Sequence, residues 1–558
     1  MSTNATTDRA TGRDDAPMAT PETPRDPLPP PPAVPPPIPL ARSVACVAAS
    51  VLLWTTQGLS MNLVAANLPQ LQGVFGVTLN EATWLMAAYM APNVSLSLLL
   101  LKIRQQYGLR LFAELSLLVF VFASLLHLFV HDLHAAVAIR FLAGMAAAPM
   151  SSLGFLYMLD AFPPAKKMNW GLSLALTCSA LAAPLARLIS PALLDIGQWN
   201  ALYMLELGLA LMALATVYVL PLTPIVHTKV LHKLDFISYP LVAIGFGLLA
   251  VVLVLGRAYW WFEAPWIGVC LAIAAAAIAL AAAIEIQRDE PLINLRWLTS
   301  PEILHMTAVL LVFRIVLSEQ TTGAFGLFQS LGLLNEQSHT LLLVILLASI
   351  AGGLVCGYLL KPGRDVPLHG VALVLICIGA FMDAHATSLT RPENMYASQA
   401  MIAFGSALFL PPALLTGLTK ALQQGPTYLT SFIVIFLFTQ SIGGLAGSAL
   451  LGSFMTLREK FHSSQLVEHI VASDPQVAAR LQALSSAYGH VLTDPQLARA
   501  EGVVALSQQA TREATVLAYN DVFLLISVLA ALALATLLIH HLYNHARSRA
   551  STAAGVAA

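Results

Sequence analysis

Six ionisable residues, Glu114, Arg140, Arg187, Glu206, Arg314 and Glu319, stand inside long apolar stretches of this 558-residue chain. A charged side chain at the centre of a bilayer costs about 2.5–3.5 kcal/mol on insertion scales, so such residues usually face a cavity or a partner. Carboxyl groups can take up and release a proton, whereas arginines stay charged and hold anions or carboxylates. The chemistry open to this set is therefore proton exchange and anion recognition. For each residue two readings stand side by side, a structural ion pair and a part in substrate or proton handling.

Bond-making chemistry finds no support. No metal-ligand cluster, nucleophile elbow or phosphate-binding glycine loop occurs in a suitable context, and the histidines fall mostly in loops or at the ends of apolar segments. The cysteines, Cys46, Cys178, Cys270, Cys356 and Cys377, all lie within apolar segments, where a packing thiol is expected rather than a disulfide or a metal ligand. The chain reads as a non-enzyme without cofactor, metal or nucleic-acid partner.

Membrane helices are the elements that must position these charges. Hydrophobic residues make up 58% of the chain and charged ones 10%, with mean hydropathy +0.75, against roughly 25% charged in soluble domains. A bilayer core of about 30 Å needs roughly 20 helical residues, and fourteen segments between Ser43 and Tyr543 satisfy it, giving an all-α polytopic membrane protein. Residues 1–42 form a proline-rich cytoplasmic tail with no packed core, and residues 544–558 a second tail. With the N-terminus inside, short inner loops collect Lys102, Arg104, Arg110, Lys166, Lys167, Lys229, Lys233, Arg288, Arg296, Lys361, Arg364 and Lys420, while short outer loops hold Arg257 and Arg391. That asymmetry places both termini in the cytoplasm.

Alternating helix directions bring Arg140, Arg187 and Glu206 to a similar depth, about 9–10 Å below the outer interface, where they form one expected charged cluster. Glu114 lies near the cytoplasmic end of its span, within reach of an interfacial reading. Arg314 and Glu319 share a span but not a helical face, so they meet different partners. Pro184, Pro191, Gly352-Gly353, Pro411-Pro412, Gly443-Gly444 and Gly447 interrupt spans where neighbouring helices or a cavity must satisfy the backbone; close helix contact is the reading for Gly443 and Gly447. In the outer loop, residues 457–517, Asp474-Pro475 and Asp494-Pro495 each pair a helix N-cap with proline at the first helical position. Two or more amphipathic helices outside the membrane are expected there.

Several motifs carry a family resemblance: Leu68-Pro69 with Thr83-Trp84, Arg140-Phe-Leu-Ala-Gly144, Phe162-Pro-Pro-Ala-Lys-Lys167, Asp289-Glu-Pro-Leu-Ile-Asn-Leu295 and Arg458-Glu-Lys-Phe-His-Ser-Ser-Gln-Leu466. In order and spacing, residues 43–543 resemble the EmrB/QacA-type fourteen-span drug:proton antiporters of the major facilitator superfamily. The resemblance implies two six-helix bundles, residues 43–220 and 302–543, with two inserted helices at 236–287 and the outer loop within the second bundle. It implies structural roles for Gly108, Arg110, Gly144 and Pro184. It also implies proton-driven multidrug export by alternating access in an inner membrane, feeding a periplasmic membrane-fusion adaptor and an outer-membrane channel. Parts of the pattern are altered: Ser60 replaces the acidic residue of the first span, Leu101 and Gln105 replace the glycine and acidic residue after the second, Ala143 replaces a glutamine, and Arg187-Leu188 and Pro191-Ala192 replace the antiporter motif's Gly-Pro and paired glycines. Glu206 is accordingly the first proton-coupling candidate, followed by Glu319 and Glu114, since desolvation lets a buried carboxyl hold a proton near neutral pH. Arg140, Arg187 and Arg314 are the substrate or charge-network candidates, and the added cations Arg187 and Arg314 point to an anionic or zwitterionic amphiphile such as an aromatic acid. The alternatives are a facilitator of one metabolite without proton exchange and a non-transporting scaffold or sensor.

Overall fold

The computed structural model describes residues 39–222, 232–288, 291, 294–361, 363–471 and 473–556. The proline-rich segment through residue 38, Lys229, and Asp289, Glu290, Leu292 and Ile293 of one motif lie outside the described residues, as do the side chains of Leu101, Lys102, Arg104 and Gln105. Among the described residues every regular element is a helix.

The first half comprises α1 (Leu40–Ala66), α2 (Trp84–Tyr107), α3 (Leu109–His127), α4 (Leu133–Asp160), α5 (Pro164–Ile196) and α6 (Trp199–Val219). Two further helices follow, α7 (Asp235–Leu255) and α8 (Pro265–Ile286). The second half holds α9 (Pro301–Ser330), α10 (Asn335–Leu359), α11 (Asp365–Asp383), α12 (Pro392–Gln424), α13 (Pro426–His469), the short α14 (Pro475–Ala487) and α15 (Pro495–Val556). Thirteen helices qualify as spans by length and hydropathy among the described residues. The fourteenth expected span is α2, whose 24 residues rise about 36 Å, enough for the bilayer core.

Helical character runs unbroken from Leu172 to Val219, yet the chain must reverse within it. Forty-eight residues in a straight helix would extend about 72 Å. Both ends instead sit beside the same end of α4: a Cβ on Gly171 would stand 2.9 Å from Leu159, and Tyr157 Oη donates to Leu220 O at 2.6 Å. Spans five and six are thus a hairpin turning near Trp199, which packs on Phe75.

Small residues set how closely the helices approach. Ser50 donates to Gly154 O at 2.6 Å where α1 crosses α4, and a Cβ on Gly144 would fall 2.1 Å from Tyr89 O where α4 closes on α2. Between the halves α5 lies along α10: Ser173 donates to Gly353 O at 2.6 Å, and a Cβ on Gly353 would fall 2.0 Å from Thr177 Oγ1. On the other seam α7 wedges between α2 and α13, with Val94, Ala250 and Ile442 buried together and Phe246 edge-on to Phe438. The inserted pair therefore contacts both halves. Gly443 and Gly447 meet the side of α9, at Arg314 and at Ser318 and Ile315, which is the close contact expected of them. Large apolar side chains such as Leu115, Phe122, Phe236 and Leu280 are exposed on the outer surface, as a lipid-facing wall requires.

The described part of residues 457–517 is largely helical, as the caps predict. Asp474 accepts from Gln476 N at 2.7 Å and Asp494 from Gln496 N at 2.8 Å, opening α14 and α15. These helices are not a separate module: α13 and α15 have 44 and 62 residues, about 66 and 93 Å, so both carry membrane spans onward into one projection. Arg458 Nε and His462 Nε2 both reach Asp521 Oδ2 at 2.6 Å, tying α13 to α15 near the base of that projection. At its other end α15 continues helically to Val556.

Gly353 decides how closely the halves approach. Gly353→Leu is expected to cost about 1–3 kcal/mol through overpacking, read as a lower midpoint of thermal unfolding in detergent. Gly208→Ala, whose Cβ meets nothing within 4 Å, should be neutral or slightly stabilising.

Candidate functional site

Two buried polar nests lie toward the end of the molecule that carries the projection, one in each half. In the first, Arg140 Nη1 stands 3.9 Å from Glu206 Oε2, with their side chains 1% and 3% exposed. Asp132 caps α4 by accepting from Ala135 N at 2.9 Å, and Arg140 sits two turns beyond. Its Nη1 donates to Ser60 O at 3.0 Å, and its guanidinium lies 4.3 Å from the centre of the Tyr89 ring. Glu206 Oε1 accepts from Ser60 Oγ at 3.0 Å and Ser124 Oγ at 3.3 Å. The carboxylate is thus held by one guanidinium and two hydroxyls, the compensation a charge needs away from water. Beside it His127 stacks on Tyr203 with ring centres 4.4 Å apart. His127 Nδ1 lies 3.0 Å from Ala123 O and must donate, since a carbonyl only accepts. His127 Nε2, Arg140 Nε and Tyr203 Oη have no protein partner among the described residues.

The second nest has no guanidinium. Gln399 Nε2 donates to both Glu319 Oε1 and Asp383 Oδ2 at 2.8 Å, and Ser398 Oγ donates to Asp383 Oδ1. Glu319 is fully buried and Asp383 3% exposed, and neither forms an ion pair among the described residues. Glu319 Oε2 has no partner there. The helix opens into a wide turn with i→i+5 bonding over Glu319–Ala324, a distortion that re-aims side chains and is frequent at functional sites. The two nests share equivalent helices, except that Glu206 comes from the sixth helix of its half. Ser60, Ser124 and Arg140 come from the first, third and fourth helices of one half, and Glu319, Asp383 and Gln399 from the first, third and fourth of the other. Arg140 and Gln399 each stand seven residues into their helix.

Arg187 does not join Arg140 and Glu206. It shares their approximate depth but faces the seam between the halves, donating to Asn335 Oδ1 at 3.3 Å and lying 4.5 Å over the Phe325 ring; Asn335 Nδ2 in turn donates to Ala66 O at 3.2 Å. Glu114 joins neither nest. It pairs with Arg110 one turn earlier at 2.7 Å, the two side chains 18% and 65% exposed, just after Gly108, whose φ of +86° begins α3. Arg314 and Glu319 meet different partners as expected: Arg314 Nε donates to Gln440 O at 3.1 Å. Pro184 is buried within α5. Asp383 was missed although it stands inside an apolar segment, the signal that singled out the other six. A buried network was missed too: Arg288 Nη1 reaches Asp235 Oδ1 and Glu285 Oε1 at 2.7 Å each, clasping α7 to α8.

Long apolar helices in two halves, each enclosing buried ionisable groups, define a multi-pass membrane protein. The chain belongs to the Major Facilitator Superfamily, which it matches over residues 51–448. It is 22% identical to the multidrug export protein EmrB of Haemophilus influenzae over 506 residues, covering 88% of this chain and 94% of that one. Against EmrB of Escherichia coli K12 it is 22% identical, with 87% and 92% covered. The fold also matches two solved structures with TM-score 0.53: the human organic anion transporter MFSD10, 14% identical with 88% and 100% covered, and the proton:xylose symporter XylE, 11% identical with 88% and 95% covered. It is a multi-pass membrane protein of a transporter family rather than an enzyme.

Arg140 and Glu206 can be weighed by a double-mutant cycle. Arg140→Leu or Glu206→Leu alone strands one buried charge and is expected to cost about 3–5 kcal/mol, whereas the double variant removes both charges and should lose less than the sum. Denaturant unfolding of the purified protein in detergent measures it, and strictly additive losses would rule out the coupling.

Proposed function

We propose that this transporter exports small amphiphilic anions in exchange for protons, by rocking of its two halves about a central site. The observation that carries the reading is the carboxyl pair Glu319 and Asp383 on one amide of Gln399, in the half opposite the Arg140–Glu206 pair. A single proton on that pair supplies a donor where each carboxyl otherwise only accepts, so gain and loss of one proton changes the hydrogen bonding between α9, α11 and α12. Glu206 is the second carrier: its hydroxyl partners Ser60 and Ser124 accommodate either protonation state, and the nearby unpartnered atoms of His127 and Tyr203 offer polar footholds for water. Glu114, paired on the surface, drops out of this role. Arg187 at the seam between the halves and Arg314 between α9 and α13 supply the positive charge that favours an anionic substrate.

The reading places the protein in an inner membrane with both termini cytoplasmic and the α13–α15 projection in the periplasm, where it would meet a membrane-fusion adaptor leading to an outer-membrane channel. Support for the assembly comes from the likeness to multidrug export proteins EmrB over most of both chains and from the projection itself.

Proteoliposomes loaded with a pH-sensitive dye test the coupling. Addition of 2-naphthalenesulfonate should drive proton movement by the wild type, and Glu319→Gln, Asp383→Asn and Glu206→Gln should each cut it by about 10-fold or more while Glu114→Gln does not, the loss of an essential proton carrier. Substrate flux without proton movement in the wild type would instead identify a facilitator. Sidedness is tested separately with alkaline phosphatase fusions, expected to be active after Ser485 and silent after Thr228; the reverse pattern would invert the topology.

A further inference from the structure

A cavity of about 550 Å³ opens at the base of the projection, away from both nests. Four segments build it: Arg391 from the α11–α12 connection, Leu466 and Ile470 from α13, Arg480 from α14, and Leu506 and Arg512 from α15. Its size is that of a site for a compact organic molecule.

The three guanidiniums are held only by neutral oxygens among the described residues. Arg391 Nη1 donates to Ser388 O and Thr390 O at 3.4 and 3.0 Å. Arg480 donates to Gln509 Oε1 at 3.4 Å from Nε and 3.1 Å from Nη2, and Arg512 Nη2 donates to Leu331 O at 3.3 Å. Each guanidinium carries five N–H donors, so most of them remain available, and Glu513 is the one carboxylate in the wall. Leu389, Leu466, Ile470 and Leu506 supply its apolar lining. Three cations drawn from separate segments around one concavity attract an anion, and the planar fork of arginine suits the oxygens of a sulfonate, carboxylate or phosphate.

We infer that this cavity is an anion-binding site, distinct from the buried nests, that takes an amphiphile with a sulfonate, carboxylate or phosphate head and a small apolar body. The head lies among Arg391, Arg480 and Arg512, and the body against Leu466, Ile470 and Leu506. A soluble amphiphile and an anionic lipid headgroup share this chemistry. The inference goes beyond the transport reading, because binding here requires neither a proton gradient nor a functioning transport cycle.

The test is equilibrium binding of tritiated 2-naphthalenesulfonate to the full chain in phosphatidylcholine nanodiscs. The triple variant R391Q/R480Q/R512Q should weaken saturable binding by about 10-fold or more, because three charge-assisted contacts are lost. R391K/R480K/R512K, which keeps the charge and loses the fork, should retain more affinity than the glutamine variant and less than the wild type, and Ala510→Trp, which fills the cavity and leaves the arginines in place, should weaken binding as the glutamine variant does. Wild-type affinity in both R391Q/R480Q/R512Q and Ala510→Trp, with melting temperatures showing each folded, would overturn the site. Adding phosphatidylglycerol to the nanodiscs separates the sources: displacement of the probe assigns the site to a lipid headgroup, and undiminished binding assigns it to a soluble anion.

Discussion

Everything inside this protein answers to the cost of holding a charge where water cannot reach it. Arg140 and Glu206 are almost completely buried, and each survives there because the other is present and because Ser60, Ser124 and the face of Tyr89 complete the shell. Arg288 solves the same problem for Asp235 and Glu285. The pair Glu319 and Asp383 solves it differently, with an amide and a hydroxyl but no cation. That difference ranks the nests as proton carriers: the guanidinium beside Glu206 favours the ionised carboxylate, whereas the neutral donors around Glu319 and Asp383 hold either form.

The repeated placement of these nests follows from the architecture. Each half presents its first, third and fourth helices to a common interior, so side chains at matching depth meet in both halves. The halves nevertheless carry different chemistry there. Arg140 and Gln399 occupy the same position along equivalent helices, one supplying a fixed charge and the other a neutral double donor. Any rocking of the halves would carry both nests with it, while the seams bear the relative motion. Those seams set a small residue against larger ones, Gly353 against Thr177 on one side and Ala250 against Val94 and Ile442 on the other. A bilayer offers no hydrophobic drive between helices, so close contact must come from packing. Arg187, bridging to Asn335 across one seam, adds a polar contact that a change in the relation of the halves would have to break or remake.

Much of this was legible in the residues themselves. Hydropathy alone required membrane helices, because an unsatisfied backbone cannot be left in lipid. Asp474-Pro475 and Asp494-Pro495 marked the starts of the outer helices, because an N-cap followed by proline acts through local chain geometry. The five-residue spacing of Arg314 and Glu319 correctly sent them to different partners. What spacing could not supply was helical phase between separate helices. Depth put Arg187 beside Arg140 and Glu206, but the rotation of α5 turned it toward α9 and α10 instead. Glu114 lies about a turn and a half into its helix, and its pairing with Arg110 on the same helix, rather than with another span, came only from the structure. Asp383 and Gln399 are far from Glu319 in sequence and meet it through packing. Composition, spans and local caps are properties of short stretches and were set by sequence; which charges meet is a property of how helices rotate against one another, and tertiary packing alone decided it.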